Sequence, residues 1–311
     1  MKIIGNTPTI KINYKYNGKS GSIITKLEYY NLTGSVKDRL IDYILNKAYE
    51  EGKLVPGMEL VEATSGNTGI SLAALGAIYR HKVTIFMPEW ASRERVELMR
   101  LYGATVRLVS KEEGGFRKAI ELAKEYEETH NAFSPNQFKN NDNIAAHYYG
   151  IGTELSNYNI DAFISGIGTG GTLMGIAKKL KEKNTDIFAY EPKEMSLIKT
   201  VNIGSHKIEG IGDDFIPDIV DLDVIKDIFL IDSDDAINMA KKLSSIGLGV
   251  GISSGGNLIG AILVKELGYA NVATIFPDDA KKYLTTDLTK EIEIKDNFIS
   301  PKVELLGFEV I

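Results

Sequence analysis

Apolar runs of strand length alternate with longer amphipathic segments along most of this sequence. The alternation predicts parallel strands joined by helices, which is the pattern of an α/β fold. The predicted strands cover residues 23–29, 58–62, 82–87, 105–109, 162–165, 187–190, 228–231 and 272–275. The predicted helices cover residues 35–51, 68–79, 92–102, 115–128, 143–156, 172–182, 234–244 and 257–267. The segment 289–311 alternates apolar and charged residues without a helical pattern, and we expect an edge strand or a packing arm there.

The length of 311 residues is enough for a large buried core and predicts two domains or one large α/β unit. The formal net charge is -6, and no basic run is interleaved with aromatic residues, so we do not expect nucleic acid as a partner. The chain has no cysteine, which excludes disulfides, thiolate metal sites and a cysteine nucleophile. The histidines have no paired metal-binding spacing, so we expect small-molecule partners and no metal.

No stretch of the sequence approaches the roughly 20 apolar residues of a membrane span. The first residues also lack the apolar core of a signal peptide. We therefore expect no membrane partner and a cytoplasmic location.

A glycine-rich turn, GIGTGGT at residues 166–172, lies between a predicted strand and a predicted helix. Glycines let backbone N–H groups approach an anion, and the helix N-terminus adds partial positive charge. Thr169 and Thr172 could add hydroxyl donors. The turn lacks the lysine of a Walker loop, and Glu191 is an ambiguous match to the acidic residue of a dinucleotide site. We expect either a site for a monophosphate group or a tight turn without a ligand.

Two further polar turns have the same position relative to the predicted strands and helices. Residues 64–69 gather four hydroxyl or amide side chains around two glycines, which suits a carboxylate. Residues 251–256 precede another helix. Each turn by itself also fits a helix cap without a ligand. Three such turns together favour a ligand site, because ligands of open α/β sheets bind in the crevice at the carboxyl ends of the strands.

Lys37 lies in the first turn of the predicted helix 35–51, near the positive end of the helix dipole, where a cation is disfavoured. A lysine with a lowered pKa suits covalent bonding to a carbonyl group, as in a Schiff base. The alternative is a solvated lysine paired with Asp38 or Asp42.

Short motifs follow one another in a fixed order along nearly the whole chain. They are IGNTP (4–8), GSVKDR (34–39), TSGNTG (64–69), PE (88–89), QF (137–138), GTGGT (168–172), GIG (210–212), GISSG (251–255) and PD (277–278). In this order they resemble the fold type II pyridoxal-phosphate enzymes, specifically the family of cysteine synthase (O-acetylserine sulfhydrylase) and cystathionine β-synthase. The resemblance implies pyridoxal 5′-phosphate as cofactor.

The resemblance also implies the architecture of the chain. Two α/β domains with mostly parallel, twisted sheets, like those of the tryptophan synthase β chain, would enclose the active site between them. Residues 38–146 would form the smaller, substrate-binding domain. Residues 10–37 and 147–300 would form the larger, cofactor-binding domain, and residues 301–311 a C-terminal arm.

Roles for individual residues follow from the same resemblance. Lys37 would bind the cofactor covalently and later move the Cα proton of the substrate. Asn67 would contact the ring hydroxyl of the cofactor, and Ser253 would meet its pyridine nitrogen, where a neutral hydroxyl favours β-elimination over long-lived carbanions. The cofactor phosphate would lie against Gly168, Thr169, Gly170, Gly171 and Thr172. The substrate would contact Thr64, Ser65, Thr68, Gln137, Gly212 and Asp213, the first four holding its carboxylate.

Some residues depart from the family pattern. Leu32 replaces a frequent proline, and Trp90 replaces a smaller side chain, which we interpret as packing changes. The segment EGIGDDFIP at residues 209–217 has an acidic residue immediately before its phenylalanine, as cystathionine β-synthase has and the plain synthases do not. The segment lies at the active-site mouth in this family, so Asp213 and Asp214 would add negative charge near the substrate.

Asp232 follows the predicted strand 228–231, at a position where family members usually have Ser, Thr or Asn. One interpretation is a helix cap, supported by the acids Asp234 and Asp235 in the first turn. The other is a general base, because Ser233 could cap the helix by itself and leave Asp232 free to face the crevice. A carboxylate there would repel hydrosulfide and acetate but could deprotonate water or a neutral thiol.

The implied reaction is loss of a leaving group from Cβ to give an aminoacrylate, followed by addition of a nucleophile. One hypothesis is synthesis of L-cysteine from O-acetyl-L-serine and sulfide. The other is breakdown of L-cysteine with release of hydrogen sulfide, in which water activated by Asp232 gives L-serine, or hydrolysis gives pyruvate. The additional acids favour breakdown, which is our expectation.

A hypothesis of another class is a binding or regulatory protein that keeps the fold without turnover, and Lys37 argues against it. The resemblance further implies an amino-acid substrate, sulfide or a thiol as second partner, and a homodimer.

Overall fold

The structure is a computed structural model that describes residues 3–311. Its strands are β1 (Thr9–Tyr16), β2 (Lys19–Leu27), β3 (Glu59–Ala63), β4 (Val83–Pro88), β5 (Thr105–Val109), β6 (Ala132–Phe133), β7 (Ala162–Gly166), β8 (Asp186–Pro192), β9 (Asp227–Ile231), β10 (Val272–Phe276) and β11 (Val303–Val310). Its helices are α1 (Lys37–Glu50), α2 (Asn67–Tyr79), α3 (Arg93–Leu101), α4 (Gly115–His130), α5 (Asp142–His147), α6 (Thr153–Leu155), α7 (Gly171–Leu180), α8 (Ser233–Ser245) and α9 (Ile252–Glu266). The predicted α/β class is confirmed.

The strands form two sheets. One sheet has seven strands in the order β11-β1-β2-β10-β7-β8-β9, and the other has four strands in the order β5-β4-β3-β6. All neighbours in the four-stranded sheet are parallel. In the seven-stranded sheet, the pairs from β2 to β9 are parallel, whereas β1 is antiparallel to both β2 and β11. The four-stranded sheet lies inside the predicted smaller domain of residues 38–146, whose bounds stay predictions.

Both faces of each sheet are covered by apolar side chains. In β7, Ile164 packs in one core cluster and its neighbour Phe163 in another, because successive strand residues point to opposite faces. In β3, Leu60 and Val61 are divided between two clusters in the same way. Such two-sided burial explains why the predicted strands read as continuous apolar runs.

The N-terminal hairpin was absent from the sequence prediction. β1 and β2 are joined by Asn17 and Gly18, with φ of 48° and 78°. Positive φ at both central residues is the requirement of a type I′ turn, and Asn-Gly is its preferred sequence. The dipeptide was therefore an available signal for this hairpin.

Three predicted segments differ in detail from the structure. The predicted helix 143–156 is divided into α5 and α6 by a π-helical segment, Tyr148–Gly152, in which Gly150 leaves helical φ/ψ. Helix α9 begins five residues earlier than predicted, so Ser253 lies in its first turn. The tail forms an edge strand, since β11 pairs with β1 and the N–H of Ile311 donates to the backbone oxygen of Thr9.

The topology directs the carboxyl ends of strands from both sheets to one place. The turns after β3, β7 and β10 all line a single cavity, together with the first turn of α1. Within the described residues, no helix is both long enough and apolar enough to cross a bilayer.

Candidate active site

A cavity that opens to solvent lies between the two sheets. The predicted site residues that line it are Lys37, Thr64, Ser65, Asn67, Thr68, Gln137, Gly168, Thr169, Gly170, Thr172, Asp213 and Ser253. The other three predicted residues, Gly171, Gly212 and Asp232, are not part of its lining. Segments far apart in the sequence thus meet at the place where the sequence analysis expected a ligand.

Lys37 is the first residue of α1 and lies in the cavity wall. Burial lowers the pKa of its amine, although the nearby carboxylates of Asp278 and Asp213 act in the opposite direction. Asp38, one of the two ion-pair partners considered above, instead accepts hydrogen bonds from Thr33 and from the hydroxyl of Ser71 at 2.6 Å. Lys37 therefore presents an amine with a lowered pKa to a ligand, as covalent chemistry requires.

Three helices begin at the cavity without a side-chain cap. Helices α2, α7 and α9 begin after Gly66, Gly170 and Gly251, and no side chain accepts a hydrogen bond from their first N–H groups. Free N–H groups and the helix dipole make such ends suitable for anions. The arrangement suits a ligand with more than one anionic group.

Two buried side chains orient the hydroxyls of Thr169 and Thr172 in the predicted phosphate loop. The amide nitrogen of Asn143 donates to Oγ1 of Thr169 over 3.0 Å, and Nε2 of His147 lies 3.2 Å from Oγ1 of Thr172. Among the described residues Nδ1 of His147 has no partner, so we assign the ring proton to Nε2. Burial, with the charges of Lys37 and Arg39, lowers the pKa of His147 well below its ordinary value and keeps the ring neutral. Each threonine hydroxyl can then donate its own proton towards the cavity.

The backbone of the predicted phosphate loop packs tightly against the segment that carries Asp213. A Cβ atom on Gly168 would lie 2.3 Å from the backbone oxygen of Gly210, so only glycine fits at this position. Gly171 lies in the first turn of α7 and packs against the side chain of Asn143.

The side-chain amide of Asn67 is hydrogen-bonded through its nitrogen but not through its oxygen among the described residues. Its Nδ2 donates to Oδ2 of Asp278 over 2.7 Å, and Asp278 also accepts from the hydroxyl of Tyr283 over 2.6 Å. The amide oxygen of Asn67 is buried and has no partner among the described residues. Because an unpaired buried acceptor is costly, this atom fits a hydroxyl donor on a ligand.

The predicted carboxylate residues contact one another. The hydroxyl of Thr68 donates to Oε1 of Gln137 over 2.6 Å, and Nε2 of Gln137 donates to the backbone oxygen of Ala63 over 3.1 Å. Behind them, the buried carboxylate of Glu62 accepts from the backbone N–H groups of Ala63 and Gln137. Burial raises the pKa of Glu62 to about 7, although these two hydrogen bonds oppose the shift.

Asp232 caps α8 in this structure. Its Oδ1 accepts from the N–H of Asp234 over 3.0 Å, while the hydroxyl of Ser233 is engaged with Glu194. Of the two interpretations of Asp232, the structure shows the helix cap, and Ser233 does not cap the helix in its place. Oδ2 of Asp232 lies 3.7 Å from Nζ of Lys295. Whether Asp232 also acts as a base stays a prediction.

Arg95, Glu209 and Tyr283 line the cavity although the sequence analysis assigned them no role. Arg95 of α3 is buried, pairs with Glu209, and its guanidinium carbon lies 4.6 Å from the centre of the Tyr283 ring. These contacts join α3, which packs beside the four-stranded sheet, to segments that follow strands of the larger sheet. A buried arginine leaves no signal in a helical pattern, because arginine is usually exposed.

Comparison with known proteins identifies the family. Residues 1–278 match the family described as "Pyridoxal-phosphate dependent enzyme". A cysteine synthase of Staphylococcus aureus is 40% identical over 296 residues, which are 92% of this chain and 95% of that protein. The crystal structure of a hydrogen sulfide-producing enzyme from Fusobacterium nucleatum has a TM-score of 0.95 and 46% identity, covering 100% of this chain and 97% of that one. Its D232N mutant, solved in complex with an α-aminoacrylate intermediate, has a TM-score of 0.96 and 45% identity, covering 100% and 98%.

The residues of the cavity suit the cofactor of this family. The uncapped N-terminus of α7 would hold the phosphate of pyridoxal 5′-phosphate, the unpaired amide oxygen of Asn67 a ring substituent, and the amine of Lys37 the aldehyde carbon. The expectation of this cofactor is confirmed by the family match. On sequence, fold and cofactor together, this chain belongs to the pyridoxal-phosphate-dependent enzymes, within the cysteine synthase family.

Proposed function

We propose that this enzyme converts L-cysteine and water to L-serine and hydrogen sulfide. The observation that carries the proposal is the carboxylate of Asp213 in the cavity wall, which no other described side chain binds, whereas Glu209 pairs with Arg95 and Asp278 binds Asn67 and Tyr283. In its ionised form the Asp213 carboxylate disfavours the approach of an anionic nucleophile such as hydrosulfide, whereas neutral water and a neutral thiol carry no such penalty. The similarity to a hydrogen sulfide-producing enzyme supports the same direction.

The residues around Lys37 would perform the first step. When bound, pyridoxal phosphate supplies an electron sink that acidifies the Cα–H bond of an amino acid. Lys37 would hold the cofactor and, once the substrate displaces it, take the Cα proton. Its lowered pKa supports this role, because a neutral amine is required to accept a proton.

The N-terminus of α2 would hold the substrate carboxylate. The first N–H groups of this helix are uncapped, and Thr64, Ser65, Thr68 and Gln137 stand around them. An anion at a helix N-terminus gains both hydrogen bonds and dipole stabilisation. The carboxylate would thereby be fixed at the turn between β3 and α2.

We propose Asp232 as the base that deprotonates the water. It follows β9, at the same edge of the large sheet from which the phosphate loop after β7 enters the cavity. Oδ1 is used as the helix cap, and Oδ2 lies 3.7 Å from Nζ of Lys295, beyond hydrogen-bond distance, so Oδ2 can still accept a hydrogen bond from water. The Fusobacterium enzyme whose D232N mutant was solved with an α-aminoacrylate intermediate supports this assignment.

The test is to supply L-cysteine alone to the cofactor-loaded enzyme and to quantify sulfide, serine and pyruvate together. We expect sulfide and serine in equal amounts. Asp232→Asn should keep the helix cap, because asparagine caps as well as aspartate, but should lose serine formation. Sulfide with pyruvate would mean simple elimination, and unchanged serine formation by Asp232→Asn would refute the base.

The alternative is cysteine synthesis, favoured by the 40% identity to a cysteine synthase over nearly the whole chain. If L-cysteine gives no sulfide, O-acetyl-L-serine with sulfide is the substrate pair to test. A role without turnover has no support, since the lysine and the phosphate loop that turnover needs both line the cavity.

We further propose, from the resemblance, that the enzyme is a cytoplasmic homodimer. Size-exclusion chromatography coupled to light scattering should then give a mass that is twice the 34.2 kDa of one chain. Fractionation of cells that produce the enzyme should place its activity in the cytoplasm.

A further inference from the structure

Asp213 and Asp214, two adjacent acids in the segment 209–217, lie in different surroundings, one in the cavity wall and the other at the surface. Asp214 is bound by Arg117 of α4, whose Nε donates to its carboxylate and whose Nη2 donates to its backbone oxygen over 2.9 Å. Asp213 lines the cavity, and no hydrogen bond or ion pair to its carboxylate occurs among residues 3–311. Asp214 is thus bound to Arg117, whereas the carboxylate of Asp213 can contact a ligand in the cavity.

Gly212, the residue before Asp213, is hydrogen-bonded through both its N–H and its carbonyl group. The N–H of Gly212 donates to the backbone oxygen of Ile167 over 3.0 Å, and its carbonyl accepts from Nε2 of His206 over 2.9 Å. Gly212 has a φ of 69°, a conformation that favours glycine. Asp213 therefore has a fixed place relative to the phosphate loop, which begins at the residue after Ile167.

This place is near the parts of the substrate that react. The ring of Phe215 packs edge-on against Phe138, with centroids 5.0 Å apart, and Phe138 follows the proposed carboxylate residue Gln137. Lys37 is close enough to lower the pKa of Asp213. The carboxylate of Asp213 and the amine of Lys37 thus line the same cavity and interact electrostatically, beside the proposed substrate site.

We propose that Asp213 is a catalytic acid that protonates the sulfur atom as the Cβ–S bond breaks. The inference rests on the proposed breakdown of L-cysteine. Lys37 takes the Cα proton, the electron pair of the Cα–H bond forms the Cα=Cβ double bond, the pair of the Cβ–S bond goes to sulfur, and the carboxyl proton of Asp213 forms the second S–H bond. Sulfur then leaves as neutral hydrogen sulfide, and Asp213 regains its proton from solvent.

The surroundings of Asp213 suit this role. Burial and the neighbouring Asp214 raise its pKa to about 6, while Lys37 of α1 acts in the opposite direction. The other charged or titratable groups at this segment are Glu209, which pairs with Arg95, Arg117, which binds Asp214, and His206, whose pKa is lowered by burial and whose ring is therefore neutral. Near neutral pH a useful fraction of Asp213 holds its proton, whereas an ordinary aspartate holds almost none.

The leaving group provides the test. Sulfur needs a proton to leave easily, whereas the chloride of β-chloro-L-alanine does not. In the cofactor-loaded enzyme, Asp213→Asn should lower kcat for sulfide release from L-cysteine by about 100-fold or more, yet change chloride release by no more than about threefold. The matched control Asp218→Asn should change both rates by no more than about twofold, because Asp218 is exposed, lies outside the cavity lining and pairs with Lys139 at the surface.

The pH profile gives a second readout. With L-cysteine, kcat of the native enzyme should fall as the pH rises above about 6, and Asp213→Asn should lack this limb. Equal loss with both substrates, or no loss with L-cysteine, would overturn the acid role alone. If the native enzyme releases chloride but no sulfide, the proposed function fails and the inference with it.

Discussion

The side-chain nitrogen of Asn143 donates a hydrogen bond to the hydroxyl of Thr169 over 3.0 Å. The same nitrogen donates to the backbone oxygen of Gln137 over 2.8 Å. One fully buried amide therefore connects the phosphate loop after β7 to the loop that would bind the substrate carboxylate. The positions of cofactor and substrate are coupled through it.

Replacement of this amide should weaken both sites together. For Asn143→Ala we expect the dissociation constant of pyridoxal phosphate and the KM of the amino acid each to rise about tenfold, since unpaired buried groups cost about 1–3 kcal/mol. Cofactor fluorescence and steady-state kinetics measure the two effects. Asn141→Ala, at an exposed neighbour, is the control and should change neither. A rise in only one of the two constants would contradict the coupling.

Stability should depend on pH through Glu62. Its pKa is raised from 4.5 to about 7, so the folded protein binds this proton more tightly than the unfolded chain does. The contribution is fully present below pH 4.5 and is lost as the pH rises to about 7, at a cost of about 3 kcal/mol. Urea unfolding at pH 5 and pH 8 should show this difference, and Glu62→Gln should reduce it. Glu59→Gln on the same strand should leave it intact.

The helix cap at Asp232 should be separable from its chemistry. Asp232→Ala should lower the free energy of unfolding by about 1 kcal/mol, because the N–H of Asp234 loses its acceptor. Asp232→Asn should lower it by only a few tenths of a kcal/mol. Chemical denaturation of the two variants decides this. Equal loss in both would show that the charge stabilises the helix rather than the hydrogen bond.

A buried ion pair should make Arg39 essential for stability. Arg39 donates to both carboxylate oxygens of Glu28, at 2.6 and 3.0 Å, and Glu28 is fully buried. Arg39→Met should lower the free energy of unfolding by about 3–5 kcal/mol, because it leaves a buried charge without a partner. The double variant Arg39→Met, Glu28→Gln removes that charge and should recover part of the loss. No recovery would assign the loss to packing.

The parts of the fold that follow a repeated pattern were predictable from sequence. The parallel strands of the two sheets, except the two-residue β6, appear as short apolar runs, and the glycine-rich turn at 166–172 lies, as expected, between β7 and α7. The cavity gathers most of the predicted site residues because parallel strands place their carboxyl ends on one edge. The roles of individual site residues came from the order of the motifs, because hydrophobic periodicity carries no information about such roles.

Features that depend on long-range contacts were not predictable. Arg95 reads as an ordinary helical arginine, and its burial against Glu209 and Tyr283 follows only from the approach of the two sheets. The start of α9 was placed too late because glycine and serine disfavour helices in isolation, whereas packing of α9 against the large sheet overrides that preference. The cap at Asp232 was ambiguous because Ser233 has equal capping ability, and the contact with Glu194 decides between them.

The pairing of β11 with β1 determines when this enzyme can become complete during synthesis. The strands of the four-stranded sheet occur together between residues 59 and 133, so that sheet can fold while later segments are still being translated. The seven-stranded sheet needs residues 303–310 before its edge can form. A nascent chain thus carries a finished four-stranded sheet beside an unfinished one, and the cavity, whose last lining residue is Tyr283, can be complete before the edge strand has been translated.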